Sequence, residues 1–298
     1  MIKVIVFANF ERDITLLMNN YLNVFCKGKD NYLDKISFTD KQEEATHAIV
    51  LNETKCPLDL PKENVIGFAV EPLENLRFNN DYFDYVKNNL RHYIIGCDLN
   101  KENFINHYSF MWTIQNRDKY FESYQYPKKH AMSIILSKAN THFGHKYRRV
   151  LVHKILESDL DIHIYGNGTD RLKNNRGRIR RIIKDRRIKG SFIDYEPYLE
   201  YHYTIAIENT RHDSYISEKF TQPIATNCVP IYWGARKVED YFGKNCCYKL
   251  SGNLNQDFDM IKDIYNNYQK RLLDLKEARF NHFEGNAYLM KYLKYLWG

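Results

Sequence analysis

Short apolar runs alternate with longer polar segments along the first hundred residues. The runs fall at residues 2–7, 47–51, 65–70 and 93–95, and residues 11–27 form a helix-compatible segment between the first two. Such alternation is typical of a mostly parallel sheet with helices packed against it. We therefore predict an α/β half with a strand at each of the four runs.

The same alternation begins again after residues 116–129, a polar and aromatic stretch without periodicity that is typical of a linker. Apolar residues at helical spacing predict a helix at 146–157. Further elements are predicted as strands at 131–136, 161–165, 203–207 and 229–233 and a helix at 218–225. Two α/β halves joined by a linker predict a cleft between them.

We divide the chain into a first domain at residues 1–128, a second at 129–270 and a helical tail at 271–298. The tail places six apolar side chains on one helical face: Tyr288, Leu289, Tyr292, Leu293, Leu296 and Trp297. Such a face suits either docking on a domain or peripheral contact with a membrane. We favour docking and keep membrane contact as the alternative.

Composition gives the chain an ordinary globular character, with 298 residues of which 44% are apolar and 27% charged. We find no basic-then-apolar leader and no apolar run near the length of about 18 residues that spans a membrane. None of the six cysteines forms a C-x-x-C pair, so the sequence predicts reduced thiols and neither a zinc site nor a disulfide framework. We expect a cytoplasmic protein.

The positive charge has a single source. The chain carries +7 overall, but residues 171–189 hold ten Lys/Arg and one acid, so that segment is +9 and the remainder is −2. The segment is compatible with a solvated surface, with the edge of a binding site that attracts an anionic ligand, or with a basic segment that binds nucleic acid. Because it contains no aromatic residue on which bases could stack, we favour the solvated surface and expect no nucleic-acid partner.

Two short motifs resemble a dinucleotide-binding pattern and a metal-binding pattern, but we predict no such site at either of them. The turn Gly166-x-Gly168-x-x-Arg171 lacks the third glycine of the dinucleotide fingerprint, so we reject an NAD site. Asp159 and Asp161 form a D-x-D pattern. Because it leads directly into a predicted strand, we explain it better as polar residues that bound a core strand. We predict no metal site.

The most informative stretch of the second half is IAIENTRHDSYISEKFTQPIATNCVPIYWGA. Its first strand ends in a polar loop, after which Ser217 can cap a helix. A helix start offers free N–H groups to an anion, and ligands of open α/β sheets lie beyond the carboxyl ends of the strands. Four side chains would meet at that edge: Asn209, Tyr215, Glu218 and Lys219. The alternative is a surface turn with an ordinary capping acid.

This stretch resembles the signature of the family 10 glycosyltransferases, the α1,3/4-fucosyltransferases. Their pattern runs E-N-[ST], D-Y-[VI]-[TS]-E-K and V-P-[IV]-x-[YW]-G. The chain departs from it at Ser214, which separates Asp213 from Tyr215. Weaker similarity extends upstream to EPLENLRF at 71–78, YFDY at 82–85 and the family's arginine-bearing helix at 144–156.

The resemblance implies an α/β protein of the GT-B class, with two Rossmann-like domains facing a cleft. It implies an inverting glycosyltransferase that moves L-fucose from GDP-fucose to a hydroxyl of an acceptor glycan, in an α1,3-type linkage. GDP-fucose is then a donor substrate, and no metal or other cofactor is expected. A GT-B transferase that uses another nucleotide sugar is the alternative.

Four donor-site residues carry over directly from the resemblance. Lys219 matches the lysine that holds the donor diphosphate, and Glu218 matches the acid that contacts the hydroxyls of the donor sugar. Asn209 and Tyr215 match further donor-site positions.

Two other assignments stay open between neighbours. The helix arginine that offsets diphosphate charge matches Arg148 or Arg149. The general base matches Glu74 in the bacterial E-N-L-R register, or Glu71 in the acid–small–proline pattern of other members. We favour Glu71 because it follows directly on a predicted strand.

Overall fold

Two six-stranded parallel sheets form the framework of the chain. The computed structural model describes residues 1–25, 35–110, 126–172, 185–193 and 195–298. One sheet is built from residues before 107 and the other from residues after 129, so the predicted α/β halves are both present.

The first sheet has the strand order β2-β1-β3-β4-β5-β6. Its strands are β1 (Ile2–Ala8), β2 (Ile36–Phe38), β3 (His47–Leu51), β4 (Val65–Phe68), β5 (His92–Ile95) and β6 (Phe104–Asn106), and its helices are α1 (Ile14–Phe25) and α2 (Asn80–Asn89). A 3-10 helix at Leu73–Asn75 lies between β4 and α2, and two more occupy Gln42–Glu44 and Lys62–Asn64.

The second sheet has the order β12-β11-β10-β7-β8-β9. Its strands are β7 (His130–Ile135), β8 (His163–Tyr165), β9 (Ile188–Gly190), β10 (Tyr201–Ile207), β11 (Val229–Trp233) and β12 (Tyr248–Lys249). Its helices are α3 (Phe143–Leu156), α4 (Thr169–Leu172), α5 (Glu196–Leu199), α6 (Glu218–Ala225), α7 (Val238–Phe242) and α8 (Leu254–Asn266), and the chain ends with α9 (Lys276–Phe283) and α10 (Leu289–Trp297).

The inner strands are buried on both faces, which explains their unbroken apolar runs. Val4, Ile5 and Val6 of β1 are fully buried, as is every residue from Ala48 to Leu51 of β3. Parallel strands covered by helices or other layers on both sides have this pattern. The strands and helices predicted from the sequence are all present, with end points shifted by a few residues.

The two domains contact each other directly where β5 ends. An added Cβ on Gly96 would lie 2.5 Å from both Cα and N of Tyr215, and the Ser214 N–H donates to the Gly96 carbonyl at 2.9 Å. Beside this contact, the His107 ring lies 4.8 Å from Tyr241 and 5.1 Å from Tyr292. Close backbone approach at Gly96 therefore requires a residue without a side chain.

The last helix returns to the first domain. Arg91 Nη1 donates to the Leu296 carbonyl at 2.6 Å, and Trp297 Nε1 donates to the Glu63 carbonyl at 3.2 Å. Leu293 on the inner face of α10 is fully buried. The docked interpretation of the tail is therefore confirmed. Within the described ranges, no helix is long and apolar enough to cross a membrane.

The basic segment at 171–189 is described only in part, because residues 173–184 lie outside the described residues. At its end, Arg187 is bonded to both carboxylate oxygens of Asp185. Arg187 also donates to the carbonyls of Ile155, Leu156, Ser158 and Leu160. This arginine satisfies acceptors at the end of α3, as cations at helix C-termini do.

The docking of α10 predicts a large difference between two substitutions in that helix. Leu293→Ala should lower the free energy of unfolding by about 2–5 kcal/mol, because it opens a cavity in the core. Tyr295→Ala, at a side chain that is 84% exposed, should change it by less than about 0.5 kcal/mol. Urea denaturation followed by tryptophan fluorescence measures both, and equal effects would contradict the docking.

Candidate active site

A cavity of about 700 Å³ lies between the two domains. The first domain contributes Glu71 and Asn75, from the segment that follows β4. The second domain contributes residues from β7, β10, α3 and α6 and from their flanking loops. Glu71 and Asn209 follow the carboxyl ends of parallel strands, where ligands of open α/β sheets bind.

The start of α6 is tied to the end of β10 by a buried carboxylate. Glu208 is fully buried and accepts from the N–H of Ser217 at 2.8 Å and from its hydroxyl at 2.5 Å. The Ser217 hydroxyl oxygen accepts in turn from the Lys219 N–H at 3.3 Å. The predicted cap of this helix is therefore confirmed, and the cap is itself held by Glu208.

Burial raises the pKa of Glu208, and the neighbouring Glu218 raises it further. The positive charge of Lys219 and the two bonds from Ser217 oppose these effects. Lys219 Nζ lies 3.8 Å from Glu208 Oε2. A buried carboxylate is tolerable only with such partners, since an unpaired charge in the interior is costly.

Lys219 and Glu218 form an ion pair on the wall of the cavity. Nζ of Lys219 lies 2.8 Å from Glu218 Oε1 and 3.2 Å from the Ser217 hydroxyl. Burial on its own would raise the pKa of Glu218, but the charge and hydrogen bond of Lys219 lower it overall. The site thus presents one cation and one anion side by side at the start of a helix.

Helix α3 approaches β10 at a glycine. A Cβ on Gly144 would lie 1.8 Å from the carbonyl oxygen of Glu208, and the Gly144 N–H donates to the Asn209 carbonyl at 3.0 Å. One turn later, Arg148 Nη2 donates to the Asn209 side chain at 2.8 Å. Only a residue without a side chain lets the helix come this close and bring Arg148 to the cavity.

Arg148 is 3% exposed, and burial lowers its pKa while the carboxylates of Glu208 and Glu218 act in the opposite direction. Its Nε has no hydrogen-bond partner within the described part of the chain. Arg149 does not line the cavity, and its Nη2 lies 3.5 Å from the Ser137 carbonyl. Of the two arginines left open by the sequence, only Arg148 thus faces the cavity.

Two histidines at the start of α3, His142 and His145, also line the cavity, and neither was predicted from the sequence. His145 Nδ1 accepts from the His142 N–H at 3.2 Å, which leaves the proton of the neutral ring on Nε2. Burial and the nearby Arg148, His142 and Lys219 lower the pKa of His145 to about 4. The i, i+3 spacing of His145 and Arg148 was the available signal, since it puts both on one helix face.

Glu71 is held in the opposite wall through its backbone. Its N–H donates to Asn52 Oδ1 at 3.3 Å, and Asn52 is anchored because its carbonyl accepts from Tyr82 and Tyr93 at 2.7 and 2.6 Å. The Glu71 side chain accepts from Asn75 Nδ2 at 2.8 Å. The backbone that carries Glu71 is therefore anchored, and its side chain lines the cavity.

Glu74 and Tyr215 lie beside the cavity and do not line it. Both carboxylate oxygens of Glu74 are 3.0 Å from His212 Nε2. Burial acts to raise the pKa of Glu74, but the hydrogen bond from His212 lowers it overall. Tyr215 is 6% exposed, and burial together with four surrounding carboxylates raises its pKa well above the usual value.

Five of the eight residues singled out from the sequence therefore share one cavity. The cavity brings together Glu71, Arg148, Asn209, Glu218 and Lys219. Glu74, Arg149 and Tyr215 stand outside its lining.

Two aspartates of the second domain have structural partners. Asp257 is buried and accepts from Ser251, Gly252 and Tyr147. Asp161 pairs with Arg186 at 3.5 Å ahead of β8. Among the residues that the structure describes, no group of three or more His, Cys, Asp or Glu could hold a metal ion. The five described cysteines are free thiols, and Cys26 lies outside the described residues.

Comparison with known protein families shows to which family the chain belongs. The model of glycosyltransferase family 10 (fucosyltransferase), C-terminal part, matches residues 125–283, which is just over half of the chain. The chain belongs to glycosyltransferase family 10. The matched residues include the whole stretch that resembles the family signature, so the resemblance is confirmed.

The curated relatives of this family 10 chain align over a short region. Alpha-(1,3)-fucosyltransferase FucT of Helicobacter pylori is 26% identical over 98 residues, which is 32% of this chain and 20% of the relative. Alpha-(1,3)-fucosyltransferase B of Drosophila melanogaster is 29% identical over 91 residues, which is 28% of this chain and 20% of the relative. The alignments thus span about a fifth of each relative.

Solved structures extend the likeness to nearly the whole fold. An alpha1,3-fucosyltransferase with GDP-fucose is 16% identical and covers 99% of this chain and 90% of its own, with a TM-score of 0.53. A glycosyltransferase from Rickettsia africae ESF-5 is 12% identical and covers 99% and 97%, also at 0.53. The predicted GT-B fold, two Rossmann-like domains facing a cleft, is confirmed.

The depressed pKa of His145 predicts a pH-dependent stability. Between its unfolded value of 6.5 and its folded value of about 4, the unfolded chain binds a proton that the folded protein does not. The free energy of unfolding should therefore fall as the pH is lowered through this window. His145→Gln should remove that part of the fall, whereas His153→Gln, on the same helix but outside the cavity lining, should retain it. Unfolding midpoints of both variants, measured from pH 4 to 7.5, test this prediction. Identical pH profiles for the two variants would contradict the role of His145.

Proposed function

We propose that this family 10 member is an inverting fucosyltransferase, which moves L-fucose from GDP-fucose to a hydroxyl of an acceptor glycan in an α1,3-type linkage. One observation carries the proposal. A single cavity sets the Glu71 carboxylate of the first domain across from Arg148 and Lys219 of the second. That division suits a reaction in which a hydroxyl is deprotonated on one side while a diphosphate leaves on the other.

The donor diphosphate is assigned to the cationic wall. Lys219 and Arg148 supply positive charge, and α3 and α6 both begin at the cavity with their N–H groups and positive dipole ends. Asn209 fixes the Arg148 guanidinium by accepting from its Nη2. As the bond from the anomeric carbon to the diphosphate breaks, these groups stabilise the negative charge that develops on GDP.

Glu218 is assigned to the sugar of the donor. An ionised carboxylate is an acceptor of hydrogen bonds, so it can take them from sugar hydroxyls. Its bond to Lys219 Nζ at 2.8 Å fixes it next to the diphosphate site. The fucosyl group would then lie between the diphosphate and Glu71.

Glu71 is the proposed general base. Its carboxylate removes the proton from the acceptor hydroxyl, while the acceptor oxygen bonds to the anomeric carbon on the face opposite GDP. Attack from that face inverts the anomeric configuration, through a cation-like sugar as in glycoside hydrolysis. General base assistance of this kind contributes about 10²–10⁴-fold to the rate.

We propose that this transfer requires no metal ion, because Lys219, Arg148 and the two helix starts supply the positive charge that a divalent cation supplies in other transferases. The donor could instead be a different nucleotide sugar, since a fold does not fix its ligand. Direct comparison of donors separates these two versions.

Calorimetric titration of GDP-fucose, with a chelator present, should show binding to the wild type. Lys219→Ala should weaken this binding and lower kcat by about 10²–10³-fold, since it removes a group that faces developing charge. Lys262→Ala, an exposed lysine on α8, is the matched control and should change neither.

GDP-mannose and UDP-galactose are the donor controls for the same titration. Selective binding of GDP-fucose supports the proposal, and binding of another nucleotide sugar alone would change the donor. Near-normal turnover by Lys219→Ala would refute the donor-site assignment.

The choice of base predicts unequal effects at two neighbouring glutamates. Glu71→Gln should reduce kcat by about 10²–10⁴-fold with unchanged affinity for GDP-fucose. Glu74→Gln should reduce it far less, because Glu74 is engaged by His212 and lies outside the cavity lining. Steady-state kinetics with each variant distinguishes the two, and the reverse order would transfer the role to Glu74.

A further inference from the structure

Two side-chain contacts join the base-bearing segment of the first domain to the second domain. Both come from the 3-10 helix at Leu73–Asn75. Asn75 Oδ1 lies 2.8 Å from His142 Nε2, and Glu74 is 3.0 Å from His212 Nε2. The short helix that follows Glu71 is thus held at two points by the opposite wall of the cleft.

The Asn75 amide also contacts the proposed base. Its Nδ2 donates to Glu71 Oε2 at 2.8 Å. An amide oxygen only accepts, so the His142 ring donates from Nε2–H, and this bond turns the NH₂ group toward Glu71. The orientation of the amide, and with it the bond to Glu71, therefore depends on His142.

His142 belongs to the donor side of the site. It immediately precedes α3, the helix that brings His145 and Arg148 to the cavity. Glu71, Asn75 and His142 all line that same cavity. A continuous chain of hydrogen bonds thus runs from the start of the donor-side helix to the carboxylate on the acceptor side.

We propose that Asn75 and His142 are positioning residues that orient the Glu71 carboxylate for proton transfer. The proposal rests on the proposed function. With Oε2 held by Asn75, Oε1 is the oxygen that takes the proton of the acceptor hydroxyl. A glutamate side chain has three rotatable bonds, so this contact selects one of many rotamers. Because His142 belongs to the second domain, the Glu71 carboxylate is oriented only when the two walls of the cleft are close enough for His142 to bond to Asn75.

A double-mutant cycle in kcat tests the chain of contacts. Asn75→Ala and His142→Ala should each lower kcat by about tenfold, because misorientation of a catalytic group slows the chemical step. The double variant should be no slower than Asn75→Ala, since His142 acts only through Asn75. In all three variants the affinity for GDP-fucose should change less than kcat does, because the assigned donor contacts Arg148, Glu218 and Lys219 are retained.

His142→Gln is the conservative variant. Its side-chain amide can donate to Asn75 Oδ1 as the ring does, so it should recover most of the kcat lost in His142→Ala. A merely structural role of His142 would show no such recovery at equal donor affinity. If Asn75→Ala fails to fold, the His142→Ala and His142→Gln pair carries the test.

His212→Ala is the matched control for simple tethering, because it breaks the other contact across the cleft and leaves Asn75 bonded to Glu71. Its effect on kcat should be smaller than that of His142→Ala and additive with Asn75→Ala. Turnover is measured as GDP release from GDP-fucose, with water and with a panel of oligosaccharide acceptors.

A wild-type protein that releases no GDP with any acceptor or with water overturns the proposed function, and the positioning role with it. An active wild type in which the Asn75 and His142 losses simply add overturns the positioning role alone. The same conclusion follows if His142→Gln is no faster than His142→Ala, or if His212→Ala reproduces the pattern of His142→Ala.

Discussion

The buried Glu208 carboxylate is the interaction on which the second domain's half of the site depends. It accepts from the backbone and hydroxyl of Ser217, lies 3.8 Å from Lys219 Nζ and is 3.3 Å from the Tyr232 hydroxyl. Its own carbonyl meets α3 at Gly144. One residue at the end of β10 thus fixes where both helices begin. Removing one partner would leave a buried charge unpaired, which is among the costliest defects in a protein interior.

The proposed function divides the chemistry between the two domains. The proposed donor-side groups stand on helices whose starts are fixed by the end of β10, and fixed dipoles of this kind need no reorganisation when charge develops. The proposed base, Glu71, stands on a loop of the first domain, held through Asn52 and two tyrosine hydroxyls. Neither domain holds all of the residues that line the cavity. The geometry across the cleft therefore depends on contacts between the domains, among them those at Gly96, His142 and His212.

Sequence patterns predicted the inner strands, because burial on both faces leaves long apolar runs. The four strands that they did not predict are the edges of the two sheets, β2, β6, β9 and β12, which have only two or three residues each. The cap at Ser217 was predictable from local chemistry. The choice of Arg148 over Arg149 was not, because it depends on how Gly144 seats α3. His142 and His145 were not predicted: the i, i+3 spacing to Arg148 was a signal for His145, whereas His142 reaches the cavity through tertiary contacts.

The return of α10 to the first domain makes the two domains interdependent as pieces of chain. Arg91 and Glu63 of the first domain bond to the last two residues of a helix that follows the entire second domain in sequence. A first domain expressed without α10 would therefore lack these two bonds and the contact of the Trp297 ring with His47. Recombination that exchanged the first domain would have to carry this final helix along, because the two are separated in sequence by the entire second domain.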